Sequence, residues 1–87
     1  MGDDINQLRK KIDTVDEQIL QFLSERVRIC ELIGSAKKAM FLPIHDKKRE
    51  EEVFRKIQER SAKLGLNPSQ VEAVYREIVN MCSTVQE

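Results

Sequence analysis

Two cations interrupt the apolar face of the first long amphipathic segment. Arg26 and Lys37 fall on the row that also carries Phe22, Ile33 and Met40. They are 11 residues apart, which corresponds to three helical turns and about 17 Å along one face. A cation that is buried without a partner is very costly, so each of them needs a neutralising group. This spacing favours an anion site along one helix.

Further polar residues interrupt or flank apolar rows elsewhere in the chain. They are Asp46, Arg49 and Glu50 on the second segment, Cys82 and Gln86 at the end of the third, and Arg9 beside the row of the first. The three residues of the second segment stand at i, i+3 and i+4, so they share one side of a helix. Inward-facing Arg and Lys side chains on several helices favour a small polyanionic ligand bound inside a helical bundle.

The cations also have purely structural interpretations. Arg9 could pair with Asp13 at i+4, and Arg49 could offset the charges of Glu50, Glu51 and Glu52. The two cations on the first segment's apolar row could extend from the edge of a core into solvent, because long cationic side chains do so readily.

The residues near the end of the chain have structural interpretations as well. Gln86 is the next-to-last residue and could fray. Cys30 and Cys82 are expected to fill the core rather than to act as nucleophiles, since neither has an obvious base near it in the sequence.

The hydrophobic pattern predicts an all-α chain with a long first helix. Apolar residues recur in steps of three and four, with one interruption, along a first helix expected from Asp4 to Met40. Pro43 then ends the run, because proline disfavours helical dihedrals in the residue before it and cannot continue a helix interior. Gly34 lies within this helix, and we interpret it as a close contact between helices rather than a hinge.

Two shorter helices are expected to follow. One begins near Asp46 and ends at Gly65, a natural C-terminal cap. The other begins after Asn67-Pro68, which reads as an N-cap followed by a proline at the first helical position. The prediction is one domain of three helices over residues 1–87.

Composition excludes several classes of function. The 87 residues carry 15 Lys+Arg against 15 Asp+Glu, so no excess of cations is available for nucleic-acid binding. No apolar run approaches a membrane span. Two Cys and one His are too few for a structural zinc site from this chain alone. With neither a disulfide framework nor an export signal expected, the default location is the cytoplasm.

The length of the first helix predicts a partner chain. A helix from Asp4 to Met40 would span about 55 Å, whereas a compact globule of this size is about 30 Å across. The two shorter helices cannot cover its whole apolar row, and an uncovered row of that length should bind another chain. We therefore expect an intertwined homodimer.

The ordered set of these residues resembles the all-helical (AroQ-type) chorismate mutases. The resemblance covers nearly the whole chain, and its most specific part is a set of seven residues at their observed separations. These are Arg9, Arg26, Lys37, Asp46, Arg49, Glu50 and Gln86, together with the strings Leu8-Arg9-Lys10-Lys11-Ile12-Asp13, Gly34-Ser35-Ala36-Lys37 and Pro43-Ile44-His45-Asp46. The fold of that family, an intertwined dimer of three-helix chains, agrees with the length argument.

The resemblance implies a concerted [3,3] rearrangement of chorismate to prephenate, a step towards the aromatic amino acids Phe and Tyr. In such enzymes Arg26 of one chain and Arg9 of the other would hold the two carboxylates. Lys37 would contact the ether oxygen and a carboxylate, and Gln86 would be the second donor to that oxygen. The resemblance implies no metal and no organic cofactor.

The remaining site residues also take their roles from the resemblance. Glu50, with Asp46, would orient the ring hydroxyl of the substrate, and Arg49 would support its carboxylate region. Cys82 departs from the common pattern, in which a Ser is frequent, and its thiol would be a weak donor. Because an amide donates at any pH, Gln86 predicts activity that is nearly flat from about pH 6 to 8.

Three other functions remain open at this point. The nearest is an isochorismate pyruvate-lyase of the same fold, although the Asp46, Arg49 and Glu50 cluster favours the mutase. A second is a non-catalytic module that binds a pathway metabolite or docks on a pathway enzyme. A third is a purely structural helical dimer.

Overall fold

Three helices account for most of the residues that the computed structural model describes, which are residues 4–87. Helix α1 runs from Ile5 to Ala39, α2 from Lys47 to Lys63, and α3 from Pro68 to Gln86. The predicted all-α fold with a long first helix is confirmed for this range. The predicted domain of residues 1–87 includes three residues that lie outside it.

Helix α1 is 35 residues long, or about 52 Å, and its ends are capped. The Asp4 carboxylate accepts the Gln7 backbone N–H at 2.8 Å, and the Gln7 side chain accepts the Asp4 N–H at 3.4 Å. These two bonds form a capping box that satisfies donors of the first turn. Met40 is the C-terminal cap. Lys37 and Lys38 lie in the last turn, where cations interact favourably with the negative end of the helix dipole.

The turn after α1 reverses the chain within a few residues. Phe41 adopts a positive φ of 57°, a conformation that costs a non-glycine residue about 1 kcal/mol or more. The Leu42 N–H donates to the Lys37 carbonyl at 2.8 Å, which closes the end of α1. Pro43 follows, as the sequence predicted, and the chain reaches α2 four residues later.

The two shorter helices begin at the predicted caps. The Asp46 side chain accepts the Arg49 N–H at 3.0 Å at the start of α2. The Asn67 side chain accepts the N–H groups of Ser69 and Gln70 at the start of α3. Gly65 has a φ of 75° just beyond α2, so a residue that tolerates left-handed dihedrals stands where the turn requires one.

Helix α3 holds the chain together, because it packs against both α1 and α2. Cys30 lies beside Cys82, and Gly34 lies beside Gln86 four residues further on. Residue numbers therefore rise in the same direction along both helices, which means that α1 and α3 run parallel at this contact.

A disulfide joins α1 to α3. Cys30 and Cys82 are bonded across a sequence separation of 52, with their Cα atoms 5.3 Å apart. The expectation of no disulfide was therefore wrong, although Cys30 does fill the core as expected. The parallel packing of α1 and α3 brings Cys30 next to Cys82, and the spacing of the two cysteines in the sequence does not reveal this proximity. The predicted cytoplasmic location rested partly on the expectation that the chain has no disulfide, so that argument no longer supports it.

The single chain is elongated and leaves most of its apolar side chains accessible. Its extents are 60 × 23 × 15 Å and its radius of gyration is 16.5 Å, against about 12 Å for a compact domain of this length. Within residues 4–87, Cys30 is the only hydrophobic residue that is buried. No helix in that range combines the length and apolar character needed to cross a membrane.

Candidate functional site

A cleft of about 440 Å³ lies beside the contact of α1 with α3 and is closed on its other side by the start of α2. We call it the α1–α3 cleft. Its wall contains seven of the eight residues that the sequence singled out. These are Arg26, Lys37, Asp46, Arg49, Glu50, Cys82 and Gln86. Ile33, Val53 and Val79 supply the apolar part of the wall.

Lys37 connects three parts of the chain at the end of the cleft. Its Nζ donates to the Ile44 carbonyl at 2.6 Å and to Gln86 Oε1 at 2.7 Å. An ammonium group has three donors, so one N–H remains to serve a ligand in the cleft. The two existing bonds fix the direction of the third donor, which is how a site is organised before its ligand arrives.

Gln86 is held on two sides in the last turn of α3. Its side-chain oxygen accepts from Lys37, and its Nε2 donates to Cys82 Sγ at 3.1 Å. The residue is only 6% exposed, so it is buried rather than frayed. An amide nitrogen carries two hydrogens. One of them points at sulfur, and the other is available to a ligand beside Lys37.

Gly34 packs directly against Gln86, and we call this contact the Gly34 seat. A Cβ on Gly34 would lie 2.9 Å from the Gln86 Cα and 3.0 Å from its Cγ. Only a residue without a side chain permits the backbone of α3 to come this close to α1. The predicted close helix contact at Gly34 is confirmed.

The disulfide forms part of the cleft wall and changes the expected chemistry of Cys82. A disulfide sulfur carries no hydrogen, so Cys82 cannot donate as the thiol that the sequence predicted. It accepts a bond from Gln86 instead. Its partner Cys30 is 3% exposed and accepts from Arg26 Nη1 at 3.8 Å, a long contact that keeps the half-buried guanidinium at the wall.

The α2 side of the cleft is built around a helix N-terminus. Asp46 is the N-cap, and its carboxylate is already used by the Arg49 N–H. Arg49 Nη1 in turn pairs with Glu52 at 2.6 Å, as its structural interpretation expects, while the residue also lines the cleft. Bonding to Lys56, together with the positive charges of Lys56 and Arg49, lowers the pKa of Glu52. Glu50 is half-buried in the cleft wall.

Arg9 is the one predicted site residue that lies away from the cleft. It is exposed on α1, 17 residues before Arg26, which is about 26 Å along the helix. No side chain is long enough to cover that distance. The chain's own Arg9 therefore cannot take part in its own cleft.

The arrangement suits a small anion with more than one carboxylate. Arg26 and Lys37 offer charged donors, Gln86 offers a neutral one, and an apolar wall faces them. Within residues 4–87, no group of three or more His, Cys, Asp or Glu side chains is placed to hold a metal ion.

Residues 8–87 match the family model described as chorismate mutase type II. The chain belongs to this family. It is 36% identical over 88 residues to a bifunctional chorismate mutase/prephenate dehydratase of Aquifex aeolicus, a match that covers 98% of this chain and 24% of that protein. It is 32% identical over 57 residues to a chorismate mutase of Methanocaldococcus jannaschii, covering 66% of this chain and 58% of that one.

A solved structure shares the fold of this chain. A conserved hypothetical protein from Pyrococcus furiosus has 33% sequence identity and a TM-score of 0.76, and the match covers 99% of this chain and 100% of that one. The chain spans about a quarter of the length of the Aquifex relative and 58% of the Methanocaldococcus one.

Two features of the α1–α3 cleft were missed by sequence reasoning. The Ile44 carbonyl binds Lys37, and a backbone acceptor has no side-chain signature that could have revealed it. The disulfide was missed because two cysteines 52 residues apart give no indication of pairing until the parallel register of α1 and α3 is known.

The Gly34 contact generates a stability prediction. Gly34→Ala should lower the free energy of unfolding by about 1 to 2 kcal/mol, because overpacking against the α3 backbone outweighs the gain in helix propensity. Urea unfolding at fixed protein concentration measures it. Ser35→Ala, on the exposed neighbour, is the control and should be neutral or slightly stabilising. A Gly34→Ala protein as stable as the wild type would contradict the close contact.

Proposed function

We propose that the protein is a chorismate mutase, which converts chorismate to prephenate by a concerted rearrangement in which a C–O bond breaks as a C–C bond forms. The observation that carries the proposal is the pair of free donors on Lys37 and Gln86. Each side chain is held by bonds within the chain, and both residues line the cleft that contains Arg26. Family membership and the names of the relatives support the same activity.

The proposed roles follow from what the reaction demands. No nucleophile is needed, because bond breaking and bond making occur within one substrate molecule. The enzyme has to hold a dicarboxylate in a compact conformer and stabilise the negative charge that grows on the ether oxygen. Arg26 would bind one carboxylate, and the third Lys37 N–H together with the second Gln86 N–H would meet the ether oxygen.

The α2 residues would complete the proposed site. Glu50, half-buried in the wall, would accept from the ring hydroxyl of the substrate, with Asp46 helping to fix the first turn of α2 that carries it. Arg49 would have to exchange its pair with Glu52 for a substrate carboxylate. Cys82, as a disulfide sulfur that accepts from Gln86, would have no hydrogen to offer the substrate.

We propose that two copies of the chain assemble into an intertwined homodimer. Large apolar side chains along the first half of α1 are 46–67% exposed in the single chain. These are Ile5, Leu8, Ile12, Val15, Ile19 and Phe22. A row of this length needs a partner to be covered. The same dimer would bring Arg9 of the partner subunit to each cleft, which the chain's own Arg9 cannot reach.

We also propose a metabolic role for this activity. Prephenate formation is a step of aromatic amino-acid biosynthesis, and we propose that role with no cofactor. A cytoplasmic location and a single domain over residues 1–87 stay predictions.

Product identification with a paired variant tests the activity. Wild-type protein should convert chorismate to prephenate in the presence of EDTA, and Arg26→Ala should lower kcat/KM about 100-fold by removing a charged partner of a carboxylate. Arg55→Ala, at an exposed Arg on α2 that pairs with Glu59, is the matched control and should keep full activity. Salicylate from isochorismate would support the lyase instead, and no turnover of either compound would remove the enzyme proposal.

Subunit mixing tests the shared site. Arg9→Ala and Arg26→Ala chains should each be nearly inactive alone, but refolding them together should restore about a quarter of wild-type activity, because about half of the dimers are mixed and each has one intact cleft. The measurement is chorismate turnover per chain after joint refolding. Activity of the mixture that equals the average of the two separate proteins would contradict the exchange of Arg9.

The Gln86 amide generates a prediction about pH. A Gln86→Glu variant can donate to the ether oxygen only when its carboxyl is protonated. Its activity relative to wild type should therefore fall as the pH rises from about 5 to 8, since the unperturbed carboxyl pKa is about 4.3. Wild-type activity should stay nearly flat from about pH 6 to 8. A constant ratio between variant and wild type would show that position 86 does not donate.

A further inference from the structure

Both sulfurs of the Cys30–Cys82 disulfide accept hydrogen bonds from donors of the α1–α3 cleft. Gln86 Nε2 donates to Cys82 Sγ at 3.1 Å, and Arg26 Nη1 reaches Cys30 Sγ at 3.8 Å. The Gln86 contact is the shorter one, and it occupies one of the two N–H groups of that amide. The direction of the other N–H is therefore set by the position of a disulfide sulfur.

The disulfide also fixes the backbone that carries Gln86. It ties α3 to α1 one turn before Gln86, and the Gly34 seat meets the Gln86 Cα on the next turn. Two contacts on successive turns hold the end of α3 in place. Loss of the bond would remove the first of these two contacts and leave the end of α3 held against α1 at Gly34 alone.

Reduction would also alter the hydrogen bond itself. A Cys82 thiol carries a hydrogen that can rotate and can donate as well as accept. The fixed acceptor that orients Gln86 Nε2 would become a mobile group. Lys37 would then hold the amide by Oε1 alone, and the second N–H would lose its direction.

We infer that the Cys30–Cys82 disulfide is a positioning pair for Gln86, so that the oxidised protein is the faster catalyst. The inference rests on the proposed function. The disulfide touches neither the ether oxygen nor the carboxylates in this scheme; it acts through the amide. Misplacement of a donor by a fraction of an ångström is enough to change the rate of a site that works by orientation.

A cycle of four measurements tests the inference. Wild type and Gln86→Ala are each assayed oxidised and after reduction by dithiothreitol, which gives two electrons and two protons to the disulfide and becomes a cyclic disulfide itself. Reduction should lower the kcat of the wild type about tenfold, which is less than the loss that full misplacement of a catalytic group can cause. The change in KM should be smaller. Reduction should leave the already slow Gln86→Ala protein unchanged, since no amide remains to be positioned.

Three results would overturn the inference. They are equal rates for oxidised and reduced wild type, an equal proportional loss in the Gln86→Ala protein, and a loss confined to KM. Assays well below the unfolding temperature of the reduced form, checked by circular dichroism, exclude simple unfolding. A Cys30→Ser/Cys82→Ser variant should match reduced wild type and ignore the reductant.

A spectroscopic measurement separates this inference from the proposed function. The side-chain amide signal of Gln86, assigned by its loss in Gln86→Ala, should be shifted and slow to exchange in oxidised protein and should move towards free-glutamine values on reduction. The Gln58 amide, which donates to Glu72 at 3.0 Å far from the disulfide, should not move. If oxidised protein fails to convert chorismate, the proposed function fails; if the Gln86 signal ignores reduction, the positioning fails whatever the turnover.

Discussion

The close approach of α1 and α3 is the constraint on which the site depends. Helix α2 packs against α3 and not against α1, so the relation of α1 to α3 decides how the cleft residues of α1 face those of the other two helices. Gly34 permits the approach, because any Cβ there would collide with the α3 backbone. The disulfide one turn earlier keeps the two helices in the same parallel register. Lys37 and Gln86 meet at 2.7 Å as a result.

Few buried apolar residues support the close packing of α1 against α3. In the part of the chain that the structure describes, the disulfide half-cystine Cys30 is the one buried hydrophobic residue, so apolar burial within one chain cannot offset the entropy of ordering it. In the chain-entropy model, a bond that closes 52 residues stabilises by about 4 kcal/mol, because it restricts the unfolded chain. In the proposed homodimer, covering the exposed face of α1 would supply most of the remaining stabilisation.

The local structure could be predicted from the sequence because its causes are local. Helix periodicity, Asp46 and Asn67 as N-caps, Pro43 as a breaker and Gly65 as a terminator all act within a few residues. The apolar rows singled out Arg26 and Lys37, because a cation on such a row needs a neutralising group, whereas the position of Gln86 beside them was implied by the family resemblance. The Cys30–Cys82 bond and the Ile44 carbonyl were not, because both depend on the register of segments far apart in the chain. The pairing of Arg49 with Glu52 shows that a charge on the right face can still be satisfied by its own helix.

The charge of the cleft has a consequence for the end of the catalytic cycle. Arg26, Lys37 and Arg49 outnumber Asp46 and Glu50 there, and under the proposed reaction the product is an isomer that keeps both carboxylates of the substrate. The cations therefore attract the carboxylates of the product as strongly as those of the substrate. The negative charge that grows on the ether oxygen in the transition state is absent from the neutral ketone of the product, and there the attraction to Lys37 and Gln86 falls back. Release then depends on a change of shape and on the loss of that transient charge opposite Lys37 and Gln86. Product that accumulates competes for the same cleft, so an enzyme of this design works best beside a second step that removes what it makes.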